Sequence, residues 1–417
     1  VVRLPRRPHP ARRFVARLRA VVAADPSGTR QSLAALFVSS AGDLAAGLTL
    51  GSITHTLERL PGLLVLVPAA IGMRGNIFGA LGSRLGTAIH TGTFRLSRRA
   101  DTVVGQNVLA AATLTLAVSL ALAVLAKTVA VAFGVENTIS VADFVAISMV
   151  GGVLSSIVVL GLTLAVAAAA VRRNWDLDNV AAPLVTAAGD MVTLPALFAA
   201  SFLVGIDVVT PVVAALSTAT AVAGLVAASR ARLPLLRRIL AESLPVLLVA
   251  GLIDVVAGIT VEKRLESFLV YPALLVMIPP FLEDTGALGG ILSSRLGTKL
   301  HVGLIAPTSV PQQPARDDIV LTFLYAVPVF TLVGVSADVA AALFGLASPG
   351  VVQMIGASLL GGMIATCFAV VVAYYGAIAA YRTGLDPDNH GIPLITSSMD
   401  LAGAFSLVLA LVILGIA

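Results

Sequence analysis

The stretch "SRLGTAIHTG" (Ser83 to Gly92) returns 211 positions later as "SRLGTKLHVG" (Ser294 to Gly303). Three more blocks keep that spacing. "DLAAGLT" at Asp43 matches "DVVAGIT" at Asp254, and "GGVLSSIVV" at Gly151 matches "GGMIATCFA" at Gly361. "DLDNVAAPLVTAAGD" (Asp176 to Asp190) matches "DPDNHGIPLITSSMD" (Asp386 to Asp400). The offset is 210 or 211 throughout, so the chain is a duplicated unit.

The unit is built for lipid. The 417 residues are 58% hydrophobic and 12% charged, about half the charge of a soluble domain. The mean hydropathy is +0.99. "VLAAATLTLAVSLALAV" (Val108 to Val124) carries no charge and must be helical, because in lipid only a helix satisfies its own backbone. The alternation of a β-barrel is missing. The single cysteine, Cys367, makes neither an intramolecular disulfide nor a thiolate metal site. The basic balance, pI near 9.8, does not point to nucleic acid, because the arginines cluster between apolar segments as cytoplasmic loops do.

Apolar runs predict eleven spans: about 32–57, 61–92, 102–133, 143–171, 180–205, 211–228, 243–261, 269–303, 317–346, 350–381 and 391–416. With the N-terminus in the cytoplasm, "RLSRRAD", "VRRNWDLDN" and "SRARLPLLRR" all fall inside, as the positive-inside rule asks, and the C-terminus falls outside. Localisation in the cell membrane as a multi-pass protein is the expectation. Residues 1–31 form a basic cytoplasmic segment that can lie as an interfacial helix on the membrane lipid. Residues 32–206 form a first five-helix repeat, 207–229 a connector helix, and 230–417 a second five-helix repeat. Five helices end on the side opposite their start, so the connector restores the orientation. The fold class is therefore an all-α polytopic membrane protein of two parallel five-helix repeats, related by an axis along the membrane normal. If the connector did not cross, the repeats would be inverted.

Carboxylates inside apolar spans carry the functional information, since one Asp at mid-helix costs about 2.5–3.5 kcal/mol on insertion scales. Asp43 and Asp254 stand in the first helix of each repeat, Asp190 and Asp400 in the fifth. A parallel twofold brings equivalent positions near the axis face to face. Two such carboxylates repel or share a proton, and a divalent cation between them removes the conflict. The alternative is a helix-end residue paired with an arginine or a cap. The available ligands are oxygens: the aspartates, the hydroxyls of Thr186 and Thr396, the Asn76 amide and carbonyls freed at glycines and prolines. Few carboxylates with room for water suit Mg²⁺, which keeps several waters. Mn²⁺, Co²⁺ and Ca²⁺ fit a similar site, and the spacing does not separate them. Arg84 and Arg295 either snorkel or pair with a carboxylate, His90 and His301 make structural hydrogen bonds ahead of metal ligation or pH sensing, and Asp178, Asp388, Asn179 and Asn389 stand at N-cap positions, where a cation-attracting mouth is compatible with capping.

At these residues the sequence resembles the membrane domain of MgtE-type magnesium transporters, in the duplicated form of solute carrier family 41. The carrying motifs are "VPAAIGMRGN…SRLGTAIHTG" and "DLDNVAAPLVTAAGDMVTL", each with its second copy. The resemblance implies Mg²⁺ transport with a fifth-helix aspartate of each unit at the central ion site, which falls on Asp190 and Asp400. The copies differ at one layer. The second has Ala287 where the first has Asn76, and Glu283 and Asp284 where the first has Gly72 and Met73. These two acids are expected to compensate for the missing amide.

The function expected is divalent cation transport, most of all of Mg²⁺, through a central pathway between the repeats. The alternative is exchange coupled to Na⁺ or H⁺. More distant is an intramembrane Mg²⁺-dependent enzyme acting on lipid phosphates, which would need a His or Lys beside the Asp pair. No bound cofactor is expected, and one chain holding both repeats predicts a monomer.

Overall fold

The computed structural model describes the backbone of residues 26–97, 99–173, 177–383 and 392–416, and their side chains except at 26–32, 35, 38, 173–184 and 392. The basic segment 1–31, the N-cap residues Asp178, Asn179, Asp388 and Asn389, and Arg98 therefore lie, in whole or in their side chains, outside the description.

The first repeat consists of α1 (Pro26–Ser52), α2 (Thr54–Arg59), α3 (Leu63–His90), α4 (Val103–Ala132), α5 (Val141–Arg173) and α6 (Leu177–Ser201). A connector, α7 (Val209–Arg230), leads to α8 (Pro234–Glu262), α9 (Leu265–Val270), α10 (Pro272–His301), α11 (Gln313–Leu343), α12 (Val351–Thr383) and α13 (Ile392–Ile413). Eleven long helices among the described residues overlap the eleven expected spans. Among the described residues, nine helices are long and apolar enough to cross a membrane, and Val185–Ser201 adds a shorter apolar run. The outward faces are apolar too: Leu154, Ile157, Val212, Leu216, Val222, Phe368 and Val371 are exposed, as side chains meeting lipid would be. α8 starts nine residues before the expected 243. Its first turns carry Arg237 and Arg238 and continue the helix beyond the apolar run, and the Gln106 side chain accepts from the otherwise unpaired amides of Leu235 and Leu236. The short helices α2 and α9 sit at matching positions and were not expected, because six residues carry too little periodicity to read.

Helix one of each repeat is exchanged. α1 packs against α10 of the second repeat, and α8 against α3 of the first. Glycine makes the approach possible. A Cβ on Gly47 would stand 2.0 Å from the Val276 carbonyl oxygen, and one on the equivalent Gly258 would stand 2.3 Å from that of Val65. These pairs match at the 211 offset, so the contacts obey the twofold. Outside this exchange each repeat folds alike: Ser148 donates to the Ser119 carbonyl at 2.7 Å, and its counterpart Ser358 donates to the Phe330 carbonyl at 2.7 Å.

The repeats run parallel. A small cavity on the axis is lined by Val67, Pro68, Ile71 and Gly72 of α3 and by their counterparts Ile278, Pro279, Leu282 and Glu283 of α10. A larger cavity is lined by Gly72, Gly75, Asn76 and Gly79 together with Glu283, Gly286, Ala287 and Gly290. Both helices thus pass from one cavity to the other in the same sense; inverted repeats would pair opposite ends. α7 lies along α4 and α5 as a lipid-facing rib, consistent with its role as the odd crossing.

The repeated "SRLGT" fixes helix two to helix three. Arg84 donates through Nε to the Asn107 side-chain oxygen at 2.8 Å. The counterpart Arg295 pairs with Asp318 at 3.5 Å, and Asp318 stands at the Asn107 position. The second copy adds Lys299 where the first has Ala88, and its ammonium donates to Asp318 at 2.6 Å. A second cation is thus matched by a carboxylate in place of an amide.

Two predictions follow from this packing. Gly47→Ala or Gly258→Ala forces the exchanged helices apart, and each should lower thermal stability of the detergent-purified protein by about 1–3 kcal/mol. Gly161→Ala, where nothing lies within 4 Å of the added carbon, should leave the unfolding midpoint unchanged. Asp318→Asn should lower stability by about 2 kcal/mol, because a charged hydrogen bond is lost with Lys299 left in place. Adding Lys299→Ala restores the arrangement of the first copy and should recover most of that loss in the same melting experiment.

Candidate functional site

Each carboxylate reaches its place by the same local logic. Asp43 lies one turn before Gly47, and Asp254 one turn before Gly258, so the helix face that closes on the opposite repeat also carries the acid. Asp43 and Asp254 are fully buried, and Asp190 is 2% exposed. The carboxyl group of Asp43 adjoins that of Asp190, and the carboxyl of Asp254 adjoins that of Asp400. Each repeat therefore joins its first helix to its fifth through a pair of acids. A Cβ on Gly72 would come within 3.1 Å of Asp254 Oδ2 and 3.6 Å of Asp400 Oδ2, so that glycine leaves room for the second pair beside α3.

The pairs meet on the axis. Asp43, Asp190, Glu283 and Asp400 line the small cavity of about 30 Å³, whose remaining wall is a collar of Val67, Pro68, Ile71, Ile278, Pro279 and Leu282. Asp190, Glu283 and Asp400 also form the floor of the large cavity of about 590 Å³. Its walls carry Asn76, Thr186 and Thr396, along with Ser83 and Thr87 at the "SRLGT" end of α3. The large cavity thus reaches the acids from that end, and the apolar collar stands beyond them. The acids are short of hydrogen-bond partners: Asp43 Oδ1, Asp190 Oδ2, both oxygens of Asp254 and the Asn76 amide nitrogen have none in the protein. Buried polar groups left so need an ion, a proton or water. Nevertheless, among the described residues no three His, Cys, Asp or Glu side chains close into a dehydrated metal cage.

Not every acid named from the sequence faces the two cavities. Asp284 is fully buried but lines neither cavity; it accepts from Ser40 Oγ of α1 at 2.6 Å. Its neighbour Glu283 turns to the axis instead, because successive residues on a helix point about 100° apart. Asp254 sits behind Asp400 and lines neither cavity. Thr396 donates to the Pro393 carbonyl at 3.1 Å while its side chain borders the large cavity.

One residue escaped the sequence reading. Arg74, in "IGMRGN", is 1% exposed in the middle of a span. Its Nε donates to Ser155 at 3.1 Å and its Nη2 to Ser119 at 3.0 Å, and Nη1 has no partner. The signal for it lies in the unequal copies. The counterpart of Arg74 is Thr285, and that of Ser119 is Phe330. Above Gly152 lie the guanidinium and Ser119; above the matching Gly362 lies the Phe330 ring. The first repeat fills this space with a buried guanidinium held by hydroxyls, the second with an aromatic ring.

Comparison with known proteins agrees with this architecture. The family model MgtE, described as divalent cation transporter, matches residues 67–200 and 278–410, one segment in each repeat. Solute carrier family 41 member 3 of Rattus norvegicus is 25% identical over 417 residues, covering 92% of this chain and 86% of its own. Solute carrier family 41 member 2 of Homo sapiens is 24% identical over 418 residues, covering 91% of this chain and 69% of its own. No solved structure matches. The family transports cations, which removes the lipid-phosphate enzyme from consideration. With both repeats matched over more than half of its length, this multi-pass membrane protein belongs to the MgtE family of divalent cation transporters, in the duplicated form shared with solute carrier family 41.

Proposed function

We propose that the protein carries Mg²⁺ across the membrane along the axis between its repeats, with Asp190 and Asp400 binding the partly hydrated ion. The observation that supports this most is the shared floor of the two cavities, where one fifth-helix acid from each repeat meets Glu283. Hydroxyls and an amide on the wall of a 590 Å³ vestibule suit the water shell of an ion better than direct ligation. Asp43 and Asp254 stand behind the two acids and hold them in position, and Asn76, Thr186 and Thr396 contact the hydration shell. Glu283 supplies, from one side, the charge that Asn76 does not. Asp284 acts through α1 and the position of α10.

The arginine-rich loops after α3 and α7 lie at the vestibule end, joined through Gln106 and the start of α8. The positive-inside rule makes that end cytoplasmic, with the N-terminus inside and the C-terminus outside. The conformation is then open inward and closed outward by the apolar collar. Membrane lipid and divalent cations are the partners of this reading, and one chain suffices for a pathway. Coupling to Na⁺ or H⁺ is the second reading; the carboxyl pairs favour it, since an emptied pair needs another positive charge.

Ion flux in proteoliposomes tests the assignment. Asp190→Asn and Asp400→Asn should each reduce Mg²⁺ flux by about 10- to 100-fold, at least the scale seen when metal-site contacts are lost. Flux at wild-type rates in both variants would sink the site. Glu283→Gly installs the residue of the first copy at this position. It should raise the Mg²⁺ concentration for half-maximal flux several-fold while transport persists, and an unchanged concentration dependence would remove Glu283 from the site. Imposed Na⁺ and pH gradients in the same vesicles separate uncoupled from coupled transport.

A further inference from the structure

α7 and α8 are antiparallel neighbours joined by only three residues, Ala231 to Leu233. Helices linked so closely ordinarily pack along their length. Here they splay: α7 leans on α4 and α5 and scarcely meets α8. The wedge between them is a cavity of about 580 Å³. Leu225 of α7 and Leu240, Ala241 and Leu244 of α8 make its apolar walls, and Arg237 and Arg238 stand at the loop end.

The charge around this cleft is one-sided. Arg230, Arg232, Arg237 and Arg238 are all exposed, and the nearby acid, Glu242, is taken by Arg238 at 2.8 Å. Among the described residues neither Arg232 nor Arg237 has an acidic partner. Apolar walls beneath a cationic rim, at the end of a membrane span, match an acyl chain with an anionic headgroup. The chain's own basic segment is a poor occupant, since residues 1–31 hold eight arginines against one aspartate. The connector has no counterpart in the second repeat, so the site exists once per molecule.

We propose that the α7–α8 cleft binds one anionic phospholipid, its acyl chain between Leu225 and Leu244 and its phosphate at Arg237 and Arg232. The lipid would complete the packing that the splayed connector leaves open. This proposal does not depend on the ion assignment.

The test is native mass spectrometry of the full chain after reconstitution in vesicles of equal phosphatidylglycerol and phosphatidylcholine and mild extraction. Wild type should retain phosphatidylglycerol in preference to phosphatidylcholine. The pair Arg232→Gln and Arg237→Gln should weaken that retention by about fivefold per arginine, the scale of one basic side chain at an anionic surface. Ala241→Trp fills the cleft with every arginine intact and should abolish retention, while an unchanged melting temperature in lipid-free detergent reports a folded protein. Equal retention of the two lipids by wild type overturns the proposal. So does unchanged phosphatidylglycerol in either variant: in the arginine pair it removes the headgroup contact, and in Ala241→Trp it moves the lipid to the outer surface.

Discussion

The close approach of Gly47 to the Val276 carbonyl, with its twin at Gly258 and Val65, is the contact on which the rest depends. It places helix one of each repeat against helix two of the other, so neither repeat can bury its first helix alone. Helices in lipid lack a hydrophobic drive to associate, and close packing of small residues supplies it instead. Because Asp43 and Asp254 precede those glycines by one turn, the same contact sets Asp43 in the wall of the axial cavity and Asp254 behind Asp400. They meet Asp190 and Asp400 there, and burying so many carboxylates is costly unless a counter-charge, a proton or water satisfies them.

The two cavities divide the pathway by chemistry. On the "SRLGT" side, hydroxyls, an amide and glycine-exposed backbone line the larger space of about 590 Å³. Beyond the acids, two prolines and four branched aliphatic side chains close the way. A proline cannot donate to the preceding turn, so Pro68, Pro279 and Pro280 loosen both copies of helix two at the collar. This is where helix two can bend with least loss of hydrogen bonds. At the other end of helix two, the contacts Arg84–Asn107 and Arg295–Asp318 tie each copy to helix three.

Much of this was legible in the sequence, for identifiable reasons. The constant offset exposed the repeat, and the cost of Asp in lipid singled out the four aspartates that the structure gathers into two adjoining pairs. The exchange of helix one was not legible, because hydropathy describes each helix against lipid and says nothing of which helix it meets. α2 and α9 were too short to show a period. Asp284 and Glu283 looked alike as adjacent acids, and only the rotation of α10 separates the residue on the axis from the one held by Ser40. Arg74 was hidden because its partners, Ser119 and Ser155, lie 45 and 81 residues away.

Fusion of the two units explains why the copies differ where they do. In a symmetric dimer every residue near the axis appears twice. A Glu at the Gly72 position would then face its own image and add two negative charges to four aspartates. In one chain the position can be Glu283 on one side and Gly72 on the other, which raises the negative charge by a single unit. The accompanying changes are local and paired: Arg74 with Ser119 against Thr285 with Phe330, Ala88 with Asn107 against Lys299 with Asp318, and Gly51 against Glu262, which accepts from the Gly62 amide at 2.8 Å. Each swap keeps its space filled or its charge matched, so divergence stays out of the backbone. Duplication thus preserved the twofold of the scaffold while releasing the axis from it, and the cavities on that axis carry unequal charge on their two sides.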